Sequence, residues 1–186
     1  MGSKSRIAKY IVPIIQKYID ENKITQYYEP FVGGANIIDK IECDNKIGSD
    51  LNPYLIALLN HVKSGGKLYS NVPKLLYDEA RDVFMQRNKL SEFEDWQIGC
   101  IGFLASYNGR WFDGGYAKSG YEKTKNGERY RDYYREASEN LMKQAPKLRQ
   151  IKFYVEDYKR AKPSDAVVYC DPPYLDRKKV CKCDKI

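Results

Sequence analysis

The sequence predicts an α/β fold: a parallel sheet interrupted by an inserted, mostly helical segment. Three observations predict it. Through about residue 65, short apolar runs that end in a turn or an acid alternate with stretches at helical spacing, the rhythm of a parallel sheet. Over residues 66–150 that rhythm gives way to helical stretches and a glycine- and aromatic-rich loop. It resumes with "IKFYVED" and "AVVYC". A chain of 186 residues is about one domain, large enough to bury a core. We therefore divide it into residues 1–65 with 151–186, the α/β part, and 66–150, the insert.

The elements follow in order. Residues 5–21 place Ile7, Ala8, Ile11, Ile14, Ile15, Tyr18 and Ile19 at near-helical spacing, with Pro13 as a kink or an early break. "TQYYEPF" reads as a short strand, and "VGGA" as a glycine turn opening a helix through about Cys43. "KIGSD" is a second strand ending at Asp50. The next helix has Asn52 as its N-cap, Pro53 in first position and glycines at its end. Helical stretches are predicted at roughly 73–88, 93–107 and 129–145, with "NGRWFDGGYAKSGYEKTKNG" as a loop between the last two. The final strand runs into Asp171-Pro172-Pro173-Tyr174.

Composition narrows the functions. No apolar run reaches the roughly 18 residues of a membrane span, and the N-terminus has no signal-peptide core. Five cysteines, an odd number without paired spacing, suit reduced thiols and a cytoplasmic setting. The single histidine, His61, lies in a helical pattern, so histidine catalysis and a zinc site are not expected, and no metal is assigned. The formal charge of +7 is concentrated: residues 109–160 hold 13 Lys/Arg against 8 Asp/Glu, and residues 175–186 hold 5 against 2. A local basic surface favours a polyanionic partner, although many basic faces are only solvated.

Two motifs carry chemistry. In "YYEPFVGGA", Gly33 and Gly34 allow a tight turn and a close approach of backbone to ligand. Asp50, 21 positions after Glu29 and at the end of the next strand, is placed to accept the hydroxyls of a ribose. The full GxGxxG is absent, so a nucleoside without a pyrophosphate fits better than a dinucleotide, and S-adenosylmethionine is such a molecule. An ordinary βα turn with a strand-end acid would look the same. In Asp171-Pro172-Pro173-Tyr174 the prolines fix φ and remove donors, leaving carbonyls to accept. Asp171 and the Pro172 carbonyl can together accept both hydrogens of an amino group, and Tyr174 offers a flat face to a base. That set suits methylation of an exocyclic amine. A purely structural turn could also read D-P-P-Y.

Taken in order, "GSKSRIAKYI", "YYEPFVGGA", "SDLNPY", "FLASYNGRWFDGGY" and "VVYCDPPY" resemble the Dam-type family of DNA adenine methyltransferases over about Gly2 to Tyr174. The resemblance implies a Rossmann-like methyltransferase sheet with S-adenosyl-L-methionine as cofactor and double-stranded DNA as partner. It assigns Lys4, Glu29, Pro30 and the Phe31–Ala35 loop, with Gly33 and Gly34, to the methionine end of the cofactor. Asp50 would take the ribose, Asp157 would lie near the cofactor's adenine, and Asp171 would border both cofactor and target. Asp171, Pro172, Pro173 and Tyr174 would receive the adenine, and an acid at Asp171 favours adenine over the acceptors of related amino-methyltransferases. The aromatic that usually precedes the glycine-lysine motif would fall before Met1, so one cofactor contact is expected to be missing or replaced.

In the insert, nine aromatics between Phe103 and Tyr134 interleave with basic residues. Basic groups neutralise phosphates and aromatics can hold an extruded base. Asn108, Arg110, Trp111, Tyr116, Lys118, Lys123, Lys125, Arg129 and Arg131 are the candidate DNA contacts, while Phe103, Tyr107 and others could equally be core. Family members continue well beyond D-P-P-Y, whereas twelve polar, basic residues follow here, which predicts a sheet without its C-terminal strands. That carries the alternative reading, a truncated, weak or inactive remnant that binds DNA, cofactor or a complementing C-terminal chain. A cognate restriction endonuclease is a second candidate partner. An RNA- or protein-methylating relative is a third reading, disfavoured by Asp171 and the basic insert.

Overall fold

A computed structural model describes residues 4–86, 92–124 and 127–173. Helix α1 (Ala8–Asn22) runs through Pro13 without ending, and stops at Lys23 in the left-handed conformation, φ 52°. Strand β1 (Gln26–Glu29) is followed by a glycine turn and then by only a single 3₁₀ turn, Ile38–Lys40. The helix expected to reach Cys43 is therefore absent. Its apolar residues Ile37, Ile38 and Ile41 are buried within one turn, and the next strand begins at Asn45, leaving no length for a helix.

Strand β2 (Asn45–Asp50) leads into helix α2 (Pro53–Lys63). The Asn52 side-chain oxygen accepts from Tyr54 N at 3.1 Å and Leu55 N at 3.2 Å, and Pro53 occupies the first position. Leu55, Ile56, Leu58, Leu59 and Val62 are all buried, so α2 is covered on nearly every side. The insert supplies that cover with helices α3 (Lys74–Gln86), α4 (Asp95–Leu104) and α5 (Tyr133–Leu148). Gly99 makes the α4–α2 approach: a Cβ there would lie 2.2 Å from the carbonyl oxygen of Tyr54. His61 stacks on Trp96 at 3.7 Å and its Nε2 bonds the Lys67 carbonyl at 2.9 Å, a packing role. One buried cluster contains Leu55 of α2 and Phe153 of the sheet together with Tyr77, Ile101, Trp111 and Tyr134 of the insert.

An antiparallel hairpin, β3 (Gly120–Thr124) with β4 (Gly127–Arg131), takes up the end of the region expected to be loop and residues 129–131, expected to be helix; Asp132 caps α5, which starts only at Tyr133. Its register pairs Thr124 with Gly127, whose φ of 109° favours glycine where β4 begins. Strands β5 (Ile151–Val155) and β6 (Ala166–Val168) complete a four-stranded sheet in the order β5-β2-β1-β6, with every pairing parallel. Parallel strands point their carboxyl ends to one edge, so Glu29, Asp50, Glu156-Asp157 and the segment after Val168 meet there. Among the described residues β6 pairs with β1 alone. No helix of the described residues is long and apolar enough to cross a membrane.

Candidate active site

The carboxyl edge of the sheet is acidic and well ordered by its own hydrogen bonds. Glu29, the last residue of β1, is only 3% exposed and its Oε1 accepts from the Tyr27 hydroxyl at 2.7 Å. Burial pushes its carboxyl up to about 8; the Tyr27 bond opposes this, and the nearby Asp39 and Asp171 carboxylates add to it. The folded protein holds this proton more tightly than the unfolded chain. The group's contribution to stability is therefore fully present below the ordinary range near 4.5 and is lost as pH rises through about 8. We expect Tm to fall with rising pH over this window in the wild type, and the Glu29→Gln variant to show a shallower slope. Identical slopes would remove Glu29 as the cause.

Asp50 ends β2 and is held by backbone. Its Oδ2 accepts from Gly33 N at 3.2 Å and its Oδ1 from Asn52 N at 3.0 Å. Burial raises its pKa, and the backbone N–H groups of Asn52, Gly33 and Leu51 pull it back. Gly33 donates from the left-handed region, φ 49°, which a glycine adopts at no steric cost. Each Asp50 oxygen keeps a further lone pair for an outside donor. Beneath this edge lies a layer that sequence reading missed. The Tyr28 hydroxyl lies 2.6 Å from Ser49 Oγ and donates to Glu156 Oε2 at 3.2 Å, while Glu156 N donates to the Asp50 carbonyl at 3.2 Å. Phe31 after β1 and Tyr158 after β5 approach to 5.0 Å, reaching across the end of β2 between them. Asp157 is on the same edge, its Oδ1 accepting from Lys159 N at 3.0 Å.

The third part comes from opposite ends of the chain. Lys4 Nζ lies 2.7 Å from Asp171 Oδ2, both side chains about one-fifth exposed (19% and 21%). Tyr169 N donates to the Tyr28 carbonyl at 3.0 Å, which ties the segment before Asp171 to β1. Pro172 and Pro173 follow in the open, and Tyr174 lies outside the described residues. The arrangement places a cation beside a carboxylate, two further acids and a left-handed glycine turn along one edge. A buried carboxyl that retains its proton when alone suits a cationic ligand group, and Asp50 suits a diol. The acids at the glycine turn are unsuited to a pyrophosphate.

The candidate DNA contacts divide. A bridge between Ser106 and Tyr116, with Tyr107 N donating to the Gly115 carbonyl at 2.9 Å, closes the 106–116 loop on itself. Asn108 (φ 53°) and Arg110 face outward from it. Trp111 does not: it is 8% exposed, 4.4 Å from Phe103, 5.2 Å from Phe84 and 5.6 Å from Tyr54. Tyr116 is half-buried, 5.4 Å from Tyr77, and donates to the Val72 carbonyl at 2.9 Å. These two anchor the loop to the core instead of presenting a ring to DNA. Arg131 is likewise engaged, with Nε donating to Glu136 Oε1 at 2.7 Å and a second bond to Glu136 Oε2, and Glu122 3.5 Å away. It braces the hairpin against the start of α5. Lys118, Lys123 and Arg129 are exposed, Arg129 lying 3.9 Å from Glu136. Lys125 lies outside the described residues. The hairpin also presents Tyr121 and Tyr130, 75% and 55% exposed and paired at 5.3 Å across the strands, which sequence reading had not selected.

Residues 1–183 match the family described as D12 class N6 adenine-specific DNA methyltransferase. A DNA adenine methylase of Vibrio cholerae serotype O1 is 28% identical over 175 residues, 88% of this chain and 61% of the relative. One from Escherichia coli K12 is 31% identical over 156 residues, 78% of this chain and 55% of the relative. The chain thus spans a little over half the length of the curated relatives it matches.

Proposed function

Because the chain belongs to the D12 class of N6 adenine-specific DNA methyltransferases, we propose that it moves a methyl group from S-adenosylmethionine to the exocyclic amino nitrogen of an adenine extruded from duplex DNA. The observation that carries this reading is the meeting, at one sheet edge, of the Lys4–Asp171 pair with Glu29 and Asp50. When bound, the cofactor supplies an electrophilic methyl on a sulfonium. Glu29 would face its ammonium group and Asp50 its ribose hydroxyls, with Phe31 and Tyr158 beside the nucleoside. Asp171 would accept a hydrogen of the adenine amino group, turning the nitrogen lone pair toward the methyl. The amine is conjugated into its ring, so this orientation is what makes it react. Lys4, 2.7 Å away, would orient the Asp171 carboxylate. Extruding the base costs a few kcal/mol, which Asn108, Arg110 and the exposed face of the hairpin would offset by binding phosphates and the opened stack.

Incubation with methyl-labelled S-adenosylmethionine and adenine-containing duplex DNA is expected to place label on adenine N6. Absence of label with both ligands bound would instead favour the second reading, a binding form that does not turn over. The open β6 edge among the described residues motivates that reading. A complementing chain that adds a strand there would then restore labelling. Cys43, Cys100 and Cys170 are unpaired among the described residues, which supports a reducing, cytoplasmic setting.

A further inference from the structure

The glycine loop is also held from the insert. Val32 N donates to the Ser49 carbonyl and Ala35 N to the Val32 carbonyl, both at 2.9 Å, and Gly33 N bonds Asp50. Gly33 and Ala35 are both left-handed, φ 49° and 55°. For an alanine that conformation costs about 1–2 kcal/mol, so the loop keeps its shape only while its surroundings hold it. The carbonyls of Gly34 and Ala35 point to α5, where Gln144 Nε2 donates to them at 3.2 Å and 2.9 Å. Both partners are acceptors, so the amide must present its nitrogen and not its oxygen. Asp39 N adds a longer bond of 3.4 Å to the Ala35 carbonyl.

We propose that Gln144 is a positioning residue for cofactor binding: its amide fixes the Gly34–Ala35 carbonyls and thereby the loop on which the amino-acid end of S-adenosylmethionine would rest. The proposal rests on the reading of Glu29–Ala35 as that cofactor site. It places a determinant of cofactor affinity in the insert, 110 positions from Gly34 in sequence.

The test uses the full chain and two substitutions. Gln144→Met keeps the length and removes the donors; Gln144→Lys restores a donor that can reach both carbonyls. Isothermal titration with S-adenosylmethionine is expected to show Kd raised about tenfold in Gln144→Met, the size of losing one to two neutral hydrogen bonds, and largely recovered in Gln144→Lys. The duplex-DNA Kd and the Tm are expected to stay near wild type in both. Unchanged cofactor affinity in Gln144→Met, with the wild type binding normally, overturns the proposal alone. Parallel losses in Tm, DNA affinity and cofactor affinity also overturn it, since they describe a staple for α5 and not a positioning contact. A wild type that binds no S-adenosylmethionine overturns the cofactor reading itself, before any variant is made.

Discussion

The Asp171→Ala variant is expected to transfer methyl groups about a thousandfold more slowly than the wild type, the scale seen when one preorganised polar group is removed from a reacting centre. Its fold should hardly notice. The pair with Lys4 is partly exposed, and such ion pairs contribute roughly 0–1 kcal/mol, so Tm should move by no more than a few degrees. Asp171→Asn keeps one acceptor oxygen and should retain more activity than the alanine variant. Single-turnover labelling of duplex DNA under saturating cofactor measures both. Near-wild-type rates in Asp171→Ala would remove Asp171 from the reaction. Lost cofactor binding would move it from the adenine to the cofactor.

Trp111→Ala is expected to act in the opposite way, on stability before chemistry. The indole sits among Tyr54, Phe84 and Phe103, drawn from three helices, and its N–H is buried without a hydrogen-bond partner. Truncating a buried tryptophan costs about 3–5 kcal/mol, a large part of the 5–15 kcal/mol typical of a domain. Thermal or urea unfolding should show that loss, while duplex affinity measured well below the new midpoint should change little. An unchanged midpoint with weakened DNA binding would return Trp111 to the DNA surface.

The legible and illegible parts of this chain differ by the range of the interactions that set them. The boundaries of α2 were readable because Asn52 and Pro53 are local signals with local mechanisms. The carboxyl-edge acids were readable because parallel strands carry strand-end residues to one edge whatever their order. Trp111 was not, because an aromatic next to an arginine reads equally as wedge or core until Tyr54, Phe84 and Phe103 are brought round it. The helix to Cys43 was overextended because apolar spacing over one turn cannot distinguish a turn from a helix. The hairpin was hidden because its polar strands fall partly in a glycine-rich run that reads as loop and partly in a stretch, 129–131, that reads as the start of a helix. Gln144 carried no signal, since a glutamine on a half-exposed helix face is ordinary unless the carbonyls opposite it are known.

The Lys4–Asp171 contact also sets a clock. Its partners stand at opposite ends of the described chain, and at roughly 5–20 residues per second of synthesis the aspartate is made about ten to thirty seconds after the lysine. The glycine loop, Asp50 and the insert can fold in that interval, but the edge stays incomplete until the short β6 docks on β1. On the proposed reading, the growing polypeptide would hold no complete site until its last described strand has docked on β1. A bulky tag fused ahead of Lys4 would sit where that closure has to occur.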